Sequence, residues 1–459
     1  MKSKELISCF KAYDIRGRLG SEFNEEIAYK VGYAVGKKFK ASKVVIGFDA
    51  RASSKKIAKS TIDGLHSAGV DILELGLAGT EEVYSAVVSF EADAGIEITA
   101  SHNPIEYNGM KLVKYGSKPL TEKEFLEIKS LVEEYEADTD QNLNKIYNIH
   151  NDAQSLYINK LVEFIDVKNL KSLKIVVNSG NGAAGPAIDR LENTLSRKGL
   201  NTKFIKINHN PDSSFPNGIP NPLLPENHFA TSRAVRFEKA DLGIAFDGDF
   251  DRCFFFDHLG NFVPSEYLVG LLAEIFLTKE AGSTIIHDTR IIWNTQDIVR
   301  GLNGKAKISK AGHTFFKQEM RKENAIYGGE ISAHHYFRDF SFCDSGILPF
   351  LLIWELLSKK QQSLYQLIWT RKKYFPSSGE INFNVSDPDK CLEMLKNDFI
   401  SECTYSDFVD GVSLSFGSWR FNVRKSNTEA LVRLNVETKG DMDLLSDKTQ
   451  YLAHIISSH

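Results

Sequence analysis

Ala94-Gly95-Ile96-Glu97-Ile98-Thr99-Ala100-Ser101-His102-Asn103-Pro104 is the stretch from which the organisation of the chain can be read. Its first five residues form a short, mostly apolar run that predicts a buried strand. Asn103-Pro104 and the later Asn108-Gly109 each predict a turn, so a hydroxyl, Ser101, is expected at the end of a strand. Serine is a weak nucleophile unless a neighbour activates it, and His102 or Lys111 could do so. Alternatively, the Ser and Asn side chains only hydrogen-bond their own backbone.

Two later stretches repeat this arrangement of a short apolar strand followed by a polar loop. Asp241-Leu242-Gly243-Ile244-Ala245-Phe246 precedes Asp247-Gly248-Asp249-Phe250-Asp251-Arg252, and Ala325-Ile326-Tyr327 precedes Gly328-Gly329-Glu330-Ile331-Ser332-Ala333-His334-His335. A spacing of roughly 100 residues or more indicates that the repeated unit is a whole domain. Ligands of open α/β sheets bind outside the carboxyl ends of the strands. We therefore expect three similar mixed α/β domains whose loops face one central cleft.

The chain changes character beyond Ser358. Tyr374–Gly379 has the composition of a linker, and the strands predicted after it alternate apolar and polar residues, as half-buried strands do. Helices predicted over Asp389–Phe399 and Met442–Ser457 accompany these strands, which indicates a C-terminal α+β domain. The expected domains are three α/β domains and then one α+β domain, covering residues 1–150, 151–256, 257–372 and 373–459.

The acidic loop at Asp247, Asp249 and Asp251 is the clearest candidate for a metal site. In an extended segment, alternate side chains share a face, so three carboxylates are expected to converge. Such oxygen ligands suit Mg2+ or Ca2+. An EF-hand is excluded because Arg252 stands where its glycine belongs and His258 where its bidentate glutamate belongs. The alternative, a purely structural acidic turn, is disfavoured because neighbouring like charges repel.

Two other loops carry polar groups suited to a phosphorylated polyol. Glu330 and Ser332 offer an acceptor and a donor to hydroxyl groups, although a capped turn would use the same residue types. The adjacent His334 and His335 do not share a face in a helix or strand, which argues against joint metal ligation. A cationic, hydroxyl-rich turn suited to a dianionic phosphate contains Arg424, Ser426, Asn427 and Thr428.

Composition excludes several classes of function. The net charge is -4 and no basic run is present, which argues against a nucleic-acid partner. The five cysteines are scattered and never form a CxxC pair, which indicates reduced thiols and a cytoplasmic location. The most apolar stretches, Tyr267–Thr278 and Ile347–Leu357, contain Glu274 and Glu355 and fall short of the roughly 20 residues of a membrane span. No membrane partner and no signal peptide are expected.

Taken together and in this order, the motifs resemble those of the α-D-phosphohexomutase superfamily over essentially the whole chain. The matching stretches are Tyr13–Gly17, Thr99–Pro104, Asp247–Arg252, Gly328–His334 and Arg424–Glu429. The fuller string from Gly329 to Asp339 is similar to the bacterial phosphomannomutase branch, which feeds GDP-mannose synthesis. One departure is Lys425, which stands where proline is frequent and adds charge beside the phosphate turn.

The resemblance implies catalytic and metal-binding roles. Ser101 would carry the phosphoryl group, with Lys111 or His334 as the general acid/base. Mg2+ would be held by Ser101, Asp247, Asp249 and Asp251. The residues implied in catalysis are Ser101, His102, Lys111, Arg16, Arg252 and His334.

The resemblance also implies the substrate and its contacts. A sugar phosphate would be converted through a hexose 1,6-bisphosphate, which serves as intermediate and activator, by a monomer or homodimer. The near alternatives are a phosphoglucomutase or phosphoglucosamine mutase, and the alternative from another class is a metal-dependent sugar phosphatase. Substrate contacts are implied for Tyr13, His313, Glu330, Ser332 and His334, and phosphate contacts for Arg424, Ser426, Asn427 and Thr428.

Overall fold

The computed structural model describes residues 7–135, 145–425 and 431–458. The chain divides into two compact units. Unit 1 comprises Met1–Phe262 and Asp339–Lys360, and unit 2 comprises Val263–Arg338 and Gln361–His459. Within the described residues, no helix has the length and apolar character needed to cross a bilayer.

Unit 1 begins with a mixed sheet covered by helices. Its strands are β1 (Ile15–Arg18), β2 (Lys43–Phe48), β3 (Asp71–Leu77), β4 (Ala94–Ile98), β5 (Tyr107–Lys114), β6 (Lys118–Pro119) and β7 (Ile146–Asn148). The strand order is β1-β5-β4-β2-β3-β7, with β6 on β5. Its helices are α1 (Glu25–Phe39), α2 (Ser54–Ser67), α3 (Thr80–Ser89) and α4 (Glu122–Glu133).

The helix ends follow the local sequence. Thr121 and Glu124 form a capping box at the start of α4: the Thr121 hydroxyl accepts from Glu124 N at 3.2 Å, and Glu124 Oε2 accepts from Thr121 N at 2.7 Å. In α1, Asn24 caps the first turn and Lys40 ends the helix in a left-handed conformation.

A second sheet completes unit 1 together with a helix from later in the chain. Its strands are β8 (Ile175–Asn178), β9 (Phe204–Ile207), β10 (Leu242–Phe246), β11 (Cys253–Phe256) and β12 (Phe262–Val263), in the order β12-β11-β10-β8-β9. The Trp354 indole packs edge-on against Phe204 and donates to Lys171 O at 2.8 Å, so the later segment belongs to this core. The helices are α5 (His150–Val162), α6 (Ala184–Arg197), α7 (Phe229–Glu238) and α11 (Ile347–Lys360), the last preceded by β17 (Cys343–Asp344).

Unit 2 contains a third α/β sheet, with its strands in the order β14-β13-β15-β16. β13 pairs in parallel with both neighbours, and β15 pairs antiparallel with β16. The strands are β13 (Thr284–His287), β14 (Lys305–Ile308), β15 (Tyr327–Gly329) and β16 (His335–Phe337). The helices are α8 (Ser265–Lys279), α9 (Trp293–Gly301), α10 (His313–Glu323) and α12 (Leu364–Tyr374).

The C-terminal part of unit 2 is an antiparallel sheet with two helices, in the order β18-β22-β21-β20-β19. The elements are β18 (Ser377–Asn384), α13 (Pro388–Phe399), β19 (Tyr405–Asp407), β20 (Val412–Ser415), β21 (Trp419–Lys425), β22 (Leu431–Thr438) and α14 (Met442–Ser457). Short 3-10 turns elsewhere in the chain cover Tyr115–Ser117, Val167–Asn169, Pro225–Asn227 and Arg338–Phe340. The predicted fold class, three mixed α/β domains followed by an α+β domain, is confirmed.

Three local predictions were wrong. The strand predicted over Ala325–Tyr327 instead covers Tyr327–Gly329, because both glycines pair with β16. The linker predicted over Tyr374–Gly379 is only Phe375 and Pro376, since α12 ends at Tyr374 and β18 begins at Ser377. The acidic loop is not extended: Phe250 N donates to Asp247 O at 3.2 Å, and Phe250 has a φ of 45°, so the segment is a turn.

Candidate active site

The serine loop leaves β4 in a tightly constrained turn. Ser101 has a φ of 47°, and its N–H donates to the Thr99 hydroxyl at 2.7 Å. Asn103 N donates to Ala100 O at 2.9 Å, closing the turn. A left-handed conformation costs a non-glycine residue roughly 1–2 kcal/mol. The surrounding contacts therefore hold Ser101 in this conformation against its own preference.

The acidic loop approaches the serine loop closely enough for their side chains to meet. Ser101 Oγ donates to Asp247 Oδ2 at 2.9 Å, and both residues are buried. Gly248 allows this approach, because a Cβ there would lie 2.6 Å from Ser101 O. The structure thus brings together two loops separated by nearly 150 residues.

Three buried carboxylates converge at this point, as predicted, although a turn and not an extended segment brings them together. Asp247, Asp249 and Asp251 each place an oxygen within 4.8 Å of the others, and none is more than 1% exposed. Lys111 Nζ donates to Asp249 at 2.7 Å and also to Asp251. Arg252 Nε donates to Asp247 Oδ2 at 2.9 Å. Three acids are thus paired with two cations, which leaves the cluster with a net negative charge.

The protonation of the cluster follows from this pairing. Burial raises the pKa of Asp247, partly offset by Arg252. Burial also opposes ionisation of Asp249, but Lys111 holds the pKa of Asp249 below its usual value. Burial lowers the pKa of Lys111, but the negative charges of Asp249 and Asp251 raise it by more. The pKa of Lys111 therefore lies well above its usual value. Lys111 is a fixed cation in this arrangement.

Two oxygens of the cluster, Asp249 Oδ1 and Asp251 Oδ1, are buried with no hydrogen-bond partner among the described residues. An unpartnered buried carboxylate oxygen is costly, and a bound cation removes that cost. Hard carboxylate oxygens are the ligands that Mg2+ and Ca2+ prefer. The residues present therefore fit a divalent cation.

His102 and Arg16 lie beside the serine. His102 Nδ1 lies 3.1 Å from Ser101 Oγ and 2.5 Å from the Arg252 guanidinium. The atoms packed around the ring, followed by the positive charges of Arg252 and Arg16, lower the pKa of His102 well below its usual value. Although His102 is exposed at its surface, its Nδ1 faces an Arg252 N–H and must be an acceptor, so the ring is neutral. The pairing of β1 with β5 sets Arg16 opposite Gly109, and its guanidinium donates to Thr99 O. Both side chains are thus placed next to the serine loop, as expected. Tyr13 lies just before β1, in a turn closed by Lys11 N and Asp14 O at 2.9 Å.

In unit 2, Glu330 follows β15 and is 2% exposed. Its carboxylate accepts from the Tyr336 hydroxyl at 2.6 Å and from Gly312 N at 2.9 Å, so it is held rigidly. His313, which begins α10, lies near His334, with 6.4 Å between ring centroids. Ser332 is partly exposed in the same loop. The structure therefore brings together Glu330 and the loop of His313, two of the substrate contacts that the resemblance implies.

The neighbouring His335 belongs to the core. It is buried, its Nδ1 lies 2.7 Å from the Tyr327 hydroxyl, and burial with nearby His334 lowers its pKa to about 3. His334 itself is partly exposed, so the two rings have different surroundings.

Arg424 lies at the end of β21 and is 6% exposed. Its Nη2 donates to Glu380 at 3.1 Å, while its Nε is buried without a hydrogen-bond partner among the described residues. Lys425 is paired with Asp389 at 2.7 Å, so its charge already has a partner. The predicted phosphate contacts Ser426, Asn427 and Thr428 lie outside the described residues.

Comparison with known proteins accounts for this set of loops. Four family models match in succession, described as domains I, II and III and the C-terminal domain of phosphoglucomutase/phosphomannomutase. They cover residues 8–139, 155–260, 264–374 and 380–450.

The chain belongs to the phosphoglucomutase/phosphomannomutase family. It is therefore an isomerase of the phosphohexomutase type.

Relatives in this family match over nearly the full length. A phosphomannomutase of Salmonella montevideo is 49% identical over 455 residues, covering 98% of this chain and 99% of the relative. A phosphomannomutase of Escherichia coli K12 is 48% identical over 453 residues, with the same coverage. The crystal structure of a phosphoglucomutase/phosphomannomutase family protein from Burkholderia thailandensis matches with a TM-score of 0.86 at 27% identity, covering 97% of both chains.

Sequence reasoning about this family member missed Arg51. Its guanidinium is buried and donates to four carbonyl oxygens of the serine loop and its continuation, with Asp49 as its ion-pair partner. The signal in the sequence is weak: a basic residue two positions after Asp49, where β2 ends beside β4. The acceptors, with their distances, are Ser101 (3.0 Å), Asn103 (2.5 Å), Pro104 (2.9 Å) and Tyr107 (3.2 Å).

Glu97 was also missed, having been treated only as part of an apolar strand. It is 1% exposed, and both carboxyl oxygens lack a hydrogen-bond partner among the described residues. Burial, together with Asp49 and Asp249, raises the pKa of Glu97 well above its usual value. Glu97 is therefore a neutral acid in the strand that carries the serine.

Proposed function

We propose that this protein is a phosphomannomutase that interconverts mannose 6-phosphate and mannose 1-phosphate. The observation that carries the proposal is the 2.9 Å contact between Ser101 Oγ and Asp247, which joins the serine to a cluster of buried carboxylates. Relatives 48–49% identical over nearly their full length bear the name phosphomannomutase. Chain and relatives therefore agree in family and in length.

Asp247, Asp249 and Asp251, with an oxygen on Ser101, would hold Mg2+. When bound, the ion would neutralise negative charge on the phosphoryl group and make the serine oxygen a better leaving group. The two orphaned carboxylate oxygens support this assignment, as does the excess of acids over cations in the cluster.

Phosphoryl transfer would break the bond between phosphorus and Ser101 Oγ and form a bond to a sugar hydroxyl oxygen, whose proton must leave. Positioning and charge stabilisation supply most of the acceleration in such transfers. Arg16, Lys111 and Arg252 would stabilise the charge around the phosphoryl group. Because Lys111 is held as a cation by two carboxylates, this geometry favours His334 over Lys111 as the group that takes the proton.

Neutral His102 would orient Arg252 through its Nδ1 atom. This contact supports a role beside the serine and not as the base that activates it, since an Arg252 N–H already occupies that nitrogen.

Unit 2 would bind the part of the substrate that does not react. Glu330, Ser332 and His334 would contact ring hydroxyls, with Tyr13 and His313 as further substrate contacts. Arg424, whose buried Nε is orphaned, would bind the phosphate that is not being transferred, together with Ser426, Asn427 and Thr428.

The product of the first transfer would be a hexose 1,6-bisphosphate. This molecule must rotate end over end before its other phosphoryl group can be transferred to Ser101. Residues that hold the 3- and 4-hydroxyls would meet the same groups in glucose and mannose. We therefore expect activity on glucose phosphates too, with kcat/KM values for glucose 1-phosphate and mannose 1-phosphate within about 10⁴-fold of each other. The enzyme would supply GDP-mannose synthesis in the cytoplasm, a location supported by its five free cysteines.

The proposal is tested by the intact mass of the purified protein after incubation with hexose 1,6-bisphosphate and Mg2+. We expect an added mass of about 80 Da that is absent in Ser101→Ala, together with loss of mutase activity. A variant that interconverts the 1- and 6-phosphates at the wild-type rate would refute the proposal. Release of inorganic phosphate that is insensitive to this substitution would indicate a phosphatase instead.

Sugar preference is measured separately by kcat/KM on mannose 1-phosphate, glucose 1-phosphate and glucosamine 1-phosphate. The highest value on mannose 1-phosphate supports the proposed substrate. A higher value on either other sugar would make the enzyme a phosphoglucomutase or a phosphoglucosamine mutase.

A further inference from the structure

The segment from Asp288 to Ile292, between β13 and α9, is an unusually buried loop. Each of its five residues is no more than 4% exposed. Backbone polar groups of a buried loop need partners, because they cannot reach water. The loop contains none of the residues that the proposed reaction uses.

Two residues of the C-terminal sheet supply those partners. Arg420 on β21 and Glu437 on β22 stand directly opposite each other, are 2% and 1% exposed, and form an ion pair at 2.6 Å. Arg420 donates to Arg290 O and Thr289 O, both at 2.9 Å. Glu437 accepts from Ile292 N at 2.8 Å and Trp293 N at 3.0 Å. The pair thus satisfies four backbone groups of the loop and of the first turn of α9.

The loop held in this way places the Arg290 side chain next to Asp288 and Glu330. Its guanidinium donates to Asp288 at 2.6 and 3.0 Å and lies 3.7 Å from Glu330 Oε2. Asp288 also accepts from Ile331 N at 2.9 Å, next to Glu330 in the chain. Arg290 is therefore attached to the loop that carries Glu330.

The same guanidinium reaches Glu380 on β18, which in turn contacts Arg424 on β21. Arg290 Nη1 lies 3.5 Å from Glu380 Oε2, which also accepts from Arg424 at 3.1 Å. Arg433 donates to the other Glu380 oxygen at 3.2 Å. A continuous polar chain therefore runs from Glu330 through Arg290 and Glu380 to Arg424.

We propose that Arg420 and Glu437 are positioning residues for hexose-phosphate binding. They fix the 288–292 loop so that Arg290 and Glu380 keep the sugar-contact loop and the phosphate-contact arginine at a set spacing. This inference rests on the proposed function, in which Glu330 contacts ring hydroxyls and Arg424 the phosphate. Neither Arg420 nor Glu437 would touch the substrate.

The physical reason is preorganisation. A ligand that spans two fixed contacts loses little further freedom on binding, whereas a small misplacement of either contact weakens binding strongly. Removing one partner of the pair leaves the other charge buried and frees the loop backbone, so the spacing is no longer held.

The test uses Glu437→Gln and Arg420→Lys, each in the full-length chain. Glutamine keeps one acceptor oxygen but not the charge, and lysine keeps the charge but cannot donate to both carbonyls in a fork. Glu280→Gln is the matched control, since it breaks a more exposed ion pair with Arg338 in the same unit. Thermal unfolding of each variant establishes the temperature range in which it is folded.

Binding of mannose 6-phosphate is measured by calorimetry in a Ser101→Ala background, where no turnover occurs. We expect Kd to rise about 10- to 100-fold for Glu437→Gln, less for Arg420→Lys, and less than about twofold for Glu280→Gln. In the Ser101 enzyme, KM should rise while kcat at saturation and the extent of Ser101 phosphorylation stay near wild type. A folded Glu437→Gln protein with wild-type Kd overturns the inference.

If Glu437→Gln does not fold, Arg420→Lys decides: a folded variant with unchanged Kd and KM overturns the inference, and a selective rise supports it. Failure of the proposed function looks different, because the wild-type protein would then form no phosphoserine and show no mutase activity.

Discussion

The serine site in unit 1 and the polar network around Arg290 in unit 2 have opposite electrostatic character. Around Ser101, three buried carboxylates face two cations, and two carboxylate oxygens remain unpartnered among the described residues. Around Arg290, the acids Asp288, Glu330 and Glu380 accept from arginines or backbone N–H groups. Among the described residues, the buried side-chain atoms without a hydrogen-bond partner there include the donors Arg424 Nε and Arg433 Nε. The first arrangement fits a cation, and the second fits an anion.

From this difference we predict that cation binding and hexose-phosphate binding depend on separate regions of the molecule. Substitutions at the carboxylate cluster are expected to change cation binding and turnover. Substitutions in the polar network around Arg290 are expected to change the affinity for hexose phosphate. The following predictions test that separation.

The largest effect is expected for Asp249→Asn. Loss of this charge removes one of three carboxylates, so affinity for Mg2+ should fall by more than about 100-fold, and mutase activity with it. Calorimetric titration with Mg2+ measures the change. Asp241→Asn is the control, because Asp241 lies just before β10, the strand that leads into the acidic loop. This variant should retain wild-type affinity, and equal losses in both variants would contradict the assignment.

A smaller loss is expected for Arg51→Lys. Lysine cannot make the four contacts to the serine loop, so Ser101 is held less firmly and kcat should fall about 10- to 100-fold. KM for the sugar phosphate should change little, because the hydrogen bonds of Arg51 go to the serine loop and its continuation. Steady-state kinetics measure both constants, with exposed Arg197→Lys as the control. A rise in KM at constant kcat would show that Arg51 acts on binding instead.

Glu330→Gln is expected to show the reverse pattern. The amide keeps the size of the side chain but removes its charge beside Arg290 and one of the acceptors for Tyr336 and Gly312. KM should rise about tenfold, while the added mass on Ser101 after incubation with hexose 1,6-bisphosphate stays at the wild-type level. Loss of that phosphorylation would break the proposed separation between the two regions.

For Glu97→Gln the expected change is in stability and not in binding or turnover. The folded-state pKa of Glu97 is raised, so the folded protein binds more protons than the unfolded chain as pH increases above the ordinary value of 4.5. The wild type should therefore lose stability with rising pH, by up to about 1.4 kcal/mol per pH unit from this group, and the variant should not. Urea unfolding from pH 5 to pH 8 measures the difference. Exposed Glu106→Gln should follow the wild type, and a pH-independent difference for Glu97→Gln would contradict the prediction.

Much of the fold could be predicted because it depends on local pattern. The strand Ala94–Ile98 and the helix Met442–Ser457 have the predicted bounds, since short apolar runs and helical spacing are local signals. The acidic loop was predicted to converge, but its turn depends on Phe250 in a left-handed conformation, which no residue-type rule indicates.

The missed residues depend on tertiary contacts. Arg51 meets the serine loop across about 50 positions of sequence, and Arg420 meets Thr289 across about 130. Neither is distinguished from an ordinary surface arginine until the sheets are assembled. The predicted domain boundaries and the roles of individual site residues stay predictions.

The route of the chain between the units has a consequence for biosynthesis. Unit 1 is interrupted after Phe262 and is completed only by Asp339–Lys360, whose Phe350 and Trp354 rings pack on Phe204 and whose first turn caps the Glu81 carboxylate. A nascent chain of about 260 residues therefore exposes an apolar face and leaves Glu81 without those donors. Unit 1 therefore cannot complete its fold until residue 360 of 459 has been translated, and a fragment ending at Phe262 is expected to aggregate.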